Sequence, residues 1–138
     1  MVFIRMLKKK LGIEAIEKEG LWGVSVIGLY FKIPSPLIIP EGCESIGKFT
    51  FWKCTRLKKV IIPKSLKRIG RFAFRCCLSL EEVVIPRSVE IIERGAFYKC
   101  ENAVIILEKP GSGFKESPAN IFYKCKEVIE YAEEETGN

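Results

Sequence analysis

The amino-acid sequence predicts an α/β repeat solenoid, a coil that stacks parallel strands on one face and short helical turns on the other. Three observations predict it. Pro40, Pro63 and Pro86 stand 23 residues apart. Apolar residues recur in step with them, in the columns Ile46/Ile69/Ile92, Phe51/Phe74/Phe97, Cys54/Cys77/Cys100 and Val60/Val83/Ile106. Each copy is too short to enclose its own apolar side chains, so neighbouring copies must supply the rest of a shared core.

At 138 residues the chain has room for one domain, and 48% apolar with 29% charged residues suits a packed interior. Residues 1–37 read as a degenerate N-terminal cap, 38–107 as three clear repeats, and 108–138 as a degenerate last repeat with a tail. In the cap, Ile4, Leu7, Leu11 and Ala15 are spaced for a short amphipathic helix over Met1 to Lys18, which Gly12 weakens. Glu19-Gly20-Leu21-Trp22-Gly23-Val24 then echoes Glu41-Gly42-Cys43-Glu44-Ser45-Ile46 at an offset of 22.

Within a repeat, the Leu-x-x-Val-x-Ile segment alternates like a strand, and the proline after it cannot donate to a ladder and so ends it. The Ala-Phe-x-x-Cys segment lacks a β-branched run and is expected to form the helical turn. A fourth copy, displaced by 25 residues because Gly111-Ser112-Gly113 lengthens one loop, ends in Ile121-Phe122-Tyr123-Lys124-Cys125. From Thr136 the tail is expected to fray.

The unit I-P-x-S-V-x-x-I-G-x-x-A-F-x-x-C-x-x-L-x-x-V-x resembles the BspA-like leucine-rich repeats over Ile38 to Cys125. Glu93 stands where that pattern has Gly, and Ala103 where it has Leu. The resemblance implies a right-handed leucine-rich-repeat coil with a curved parallel sheet. It also implies use in adhesion or recognition, often of host matrix or other cell-surface proteins. A cell-surface or secreted setting follows if the chain is part of a larger protein.

The composition removes most catalytic equipment. There is no His, no Asp and no Gln, and all 17 acidic residues are Glu. Without imidazole there is no Ser-His or Cys-His pair and no His metal ligand. No enzyme, cofactor or metal site is expected. Gly23 to Gly28 opens like a phosphate loop but continues Leu-Tyr, not Lys-Ser, and reads as a turn. Glu14, Glu17 and Glu19, and the Glu133 to Glu135 run, read as solvated faces.

Leu21 to Phe31 is about half the roughly 20 residues that a spanning helix needs. Lys8, Lys9 and Lys10 lead into charged sequence, so no signal peptide is read.

Alternation along the strands is expected to turn three rows outward: Lys58/Glu81/Val104, Lys59/Glu82/Ile105 and Ile38/Ile61/Val84/Leu107. An apolar line edged by charge is what interfaces use, so these rows are the candidate protein-binding face. The same row also suits self-association, with the chain acting as a spacer or stacking element.

A second candidate is basic. Ser45 to Leu80 carries ten Lys or Arg and no acid, and Lys48, Arg71 and Arg94 share one column with Arg68, Lys64 and Lys67 nearby. Like charges stacked in register favour an anionic partner. Nucleic acid is disfavoured, because Phe49, Phe51, Phe72 and Phe74 all read as core and leave no aromatic readout among the charges.

Of six cysteines, Cys54, Cys77, Cys100 and Cys125 fall in the buried column and Cys43 in the Leu66/Val89 column. No C-x-x-C spacing supports zinc. Cys76 differs: its column holds Lys53 and Lys99 and it follows Arg75, which makes it the candidate reactive thiol.

Overall fold

The computed structural model describes residues 36–39, 41–110 and 113–131. The expected N-terminal helix, the upstream echo, the Gly23 to Gly28 segment, Pro40, Gly111, Ser112 and the tail from residue 132 lie outside the described residues.

The three clear repeats carry two short strands each. The first stack is β2 (Ser45–Ile46), β4 (Arg68–Ile69) and β6 (Ile91–Ile92), all parallel, with Ile46, Ile69 and Ile92 in register. The second runs through β1 (Leu37–Ile38), β3 (Val60–Ile61), β5 (Glu82–Ile85), β7 (Val104–Leu107) and β8 (Glu127–Glu130). A Lys59–Glu82 bridge joins β3 to β5 within that stack. This is a parallel-strand β-solenoid.

Pro63 and Pro86 follow the strands β3 and β5 and are buried; their carbonyls accept from Leu66 and Val89 N–H, so the residue that stops a strand also starts the next turn. The core is built of columns. Phe51, Phe74, Phe97 and Phe122 form one continuous stack, with ring centroids 5.2, 5.0 and 5.7 Å apart. Such offset aromatic stacking adds to the area each ring buries. Cys77, Cys100 and Cys125 donate their thiol protons to the carbonyls of Phe51, Phe74 and Phe97, at 3.1, 3.0 and 3.2 Å. All six cysteines are free thiols.

Two expectations are corrected. The Ala-Phe-x-x-Cys segments are not helical. In 49–54, N–H groups alternate between a carbonyl three residues back (Trp52 to Phe49, Cys54 to Phe51) and one in the next coil (Phe51 to Ala73, Lys53 to Arg75). Phe49, Lys53, Phe72, Cys76, Lys99 and Lys124 all have φ of 55–59°, which no right-handed helix accommodates. The described residues contain one α-helical turn, α1 (Pro118–Ile121), begun by Ser117, whose hydroxyl accepts from Asn120 N–H.

The strand register of the third repeat is the other correction. Val83 pairs with Ile105 and Ile85 with Leu107, an offset of 22, because one residue is missing between Ala103 and Ile105 relative to Leu80 and Val83. A shift of one residue exchanges the two faces of a strand. Ile105 and Leu107, expected to point outward, are therefore fully buried, and Ile106, expected in the core, is partly exposed.

Candidate recognition surface

The corrected register lengthens the apolar row. Ile38, Ile61, Val84, Ile106 and Ile129 follow one another across five parallel strands. Exposure is 65% for Ile38, 41% for Ile61, 39% for Val84 and 37% for Ile129, with Ile106 half-buried. β-branched residues at these positions keep the strands extended while presenting a stiff side chain outward.

Beside the row run Lys59, Glu82, Val104 and Glu127 in register. Lys58 and Glu81 sit next along, where Glu81 N–H donates to the Lys58 carbonyl at 2.9 Å. Lys58, Glu81 and Val104 also line a shallow hollow of about 430 Å³ with the exposed Leu78. Charge of both signs therefore edges one continuous aliphatic strip. Among the partner-binding candidates, Ile38, Lys58, Lys59, Ile61, Glu81, Glu82 and Val84 lie together on this face. Ile105 and Leu107 do not.

The basic column is also continuous. Phe49 N–H donates to the Arg71 carbonyl and Phe72 N–H to the Arg94 carbonyl, so Lys48, Arg71 and Arg94 occupy equivalent exposed places on successive coils. Arg68 lies one strand earlier and forms an ion pair with Glu93, the residue that departs from the repeat's Gly. Its charge is met within the protein.

The aromatic content of this region departs from expectation. Phe51 and Phe74 are core, but Phe49 is 37% exposed and Phe72 is only partly covered. They join Trp52, Tyr98 and Tyr123 on the turns, and cations lie over the rings: Lys53 on Trp52, Arg71 and Arg75 on Phe72, Lys99 on Tyr98. Aromatic rings are thus interleaved with charge after all. The column Trp52, Arg75, Tyr98 and Tyr123 carried that signal, since only one of two neighbouring aromatic columns can face inward.

Cys76 is partly exposed, whereas Cys54, Cys77 and Cys100 are buried. Burial pushes the Cys54 thiol up to about 12. The thiol of Cys125 is raised as well, first by the neighbouring Cys100 thiol and then by burial. Among the described residues no group of three or more His, Cys, Asp or Glu is placed to hold a metal, and no helix is long and apolar enough to cross a membrane.

Parallel strands stacked coil upon coil, with buried Ile, Phe and Cys columns, define a leucine-rich-repeat solenoid. The chain belongs to the BspA type leucine rich repeat family, which matches residues 32–133 in six copies. A leucine-rich repeat protein from Bacteroides ovatus is similar in structure at 26% identity and a TM-score of 0.53, over 67% of this chain and 24% of that one. A leucine rich cell surface protein from Faecalibacterium prausnitzii aligns at 16% identity and a TM-score of 0.49, over 71% of this chain and 32% of that one. The chain thus spans a quarter to a third of the length of these solved chains. No curated protein matches.

Proposed function

We propose that this chain is a non-enzymatic recognition module that binds a protein partner through the outward face of its longer strand stack. The observation that carries this reading is the aliphatic row Ile38, Ile61, Val84, Ile106 and Ile129, edged by Lys59, Glu82 and Glu127. Dry aliphatic surface can supply affinity on desolvation, while alternating charge selects orientation. The family resemblance favours an adhesive role toward matrix or other cell-surface proteins, within a longer surface protein.

The test is binding of the purified chain to immobilised extracellular-matrix proteins at physiological and raised salt, with light scattering in parallel. Apolar recognition retains most of its affinity as salt rises, whereas binding through the basic column falls steeply. A mass that grows with concentration, with no binding to the matrix surface, would instead make the row a self-association face and the chain a structural element.

A further inference from the structure

The turns between the two strand stacks carry a second site that the strand-face reading does not use. Phe72, Arg75, Arg94, Tyr98, Asn120 and Tyr123 line a hollow of about 340 Å³. Its construction is specific. The Arg75 guanidinium packs against two rings of successive coils that meet edge to face, 5.0 Å from the Phe72 centroid and 5.1 Å from that of Tyr98. Arg75 Nε is buried and has no hydrogen-bond partner in the protein. Gly95 makes room for this arrangement: a Cβ there would lie 2.2 Å from the Phe72 ring.

Two guanidinium groups and no carboxylate line the hollow. A guanidinium fixed in place by aromatic packing presents a fork of N–H donors, which matches the paired oxygens of a carboxylate or sulfate. Lys48 and Arg71 continue the positive charge coil by coil beyond Arg94, at about 4.8 Å per coil, as a chain with repeated anionic groups would require.

The ring faces discriminate among anionic chains. Phe72 lies against Phe49 and Arg75, and Tyr98 against Arg75 and Tyr123, with centroid separations of 5.4 Å for Phe49–Phe72 and 5.1 Å for Tyr98–Tyr123. A nucleobase needs an open ring face to stack on, and the two inner rings of this ladder, Phe72 and Tyr98, are packed against Phe49, Arg75 and Tyr123. The lining instead supplies two phenols and an amide, groups suited to hydroxyls. We propose that the hollow binds an acidic saccharide, with Arg75 and Arg94 holding its carboxylate or sulfate and the basic column tracking the rest of the chain.

The test uses the full chain on immobilised heparin, with hyaluronate, dextran and a single-stranded oligodeoxynucleotide of matched charge as competitors. Wild type is expected to bind, and dextran not to compete. Arg94→Gln and Arg75→Lys should each weaken binding at least about tenfold, the loss of one charge-assisted contact, while Arg56→Gln, an exposed cation outside the hollow and its column, changes it by no more than about threefold. Competition by hyaluronate would assign the carboxylate, and its failure with heparin binding retained would assign the sulfate. No binding, an equal loss in the Arg56 variant, or tighter binding of the oligonucleotide would each overturn the proposal. Arg94 is exposed, so its variant keeps the test decisive even if the Arg75 variant does not fold.

Discussion

The Cys100 thiol donates to the Phe74 carbonyl of the preceding coil at 3.0 Å, inside a fully buried column. That bond ties each coil to its neighbour at the point where the phenylalanine stack passes through. Cys100→Ala removes both the bond and the sulfur's packing, and should cost about 1–2 kcal/mol in urea denaturation. A variant as stable as wild type would show the column to be filler.

Burial gives Cys54 a measurable signature in alkali. Its thiol is raised from 9.0 to about 12, so the folded chain keeps a proton that the unfolded chain releases above pH 9. The stabilisation is complete below pH 9 and is lost as pH rises through about 12, at roughly 1.4 kcal/mol per pH unit. Denaturation curves across that window should fall more steeply for wild type than for Cys54→Ala. Parallel slopes would show that Cys54 titrates alike in both states.

Gly70 marks the closest approach of two coils. A Cβ there would lie 2.8 Å from Gly47 C and Lys48 N and 2.9 Å from Ile46 O, all backbone atoms that no rotamer can clear. Gly70→Ala should destabilise by about 3 kcal/mol. Gly42 has φ of +93° but open space around it, so Gly42→Ala should cost only about 1 kcal/mol of backbone strain. Equal losses in the two variants, read by denaturant midpoint, would contradict the close-packed register.

Cys76 should be the first thiol to react with Ellman's reagent at neutral pH. It is partly exposed beside Arg75, whereas the other two partly covered thiols, Cys43 and Cys125, donate to the carbonyls of Ser45 and Phe97. One fast equivalent, absent in Cys76→Ser, is expected. A fast phase that survives in the variant would assign the reactivity elsewhere.

The constant offset of 23 made the columns of Ile46, Phe51 and Cys54 legible in the sequence. The register of the third repeat was not, for a physical reason. Residues 103–107 read Ala-Val-Ile-Ile-Leu, so every position is apolar and alternation cannot reveal which ones face inward. The turns hid for another reason. Phe49 and Phe72 adopt left-handed backbone without the Gly or Asn that announces it, and inter-coil hydrogen bonds hold them there. The spacing of Trp52, Arg75, Tyr98 and Tyr123 carried the outward aromatic column, but not the turn of Phe72 that brings its ring beside Arg75.

The row of five aliphatic side chains is the center of the functional account, and a double substitution tests it directly. Ile61→Ser/Val84→Ser should lower the melting temperature by no more than about 5 °C, because both side chains are already about 40% exposed. The same variant should lose binding to the immobilised matrix-protein surface at least about tenfold, as two central apolar anchors would. Undiminished binding by the folded variant would contradict recognition through the strand face.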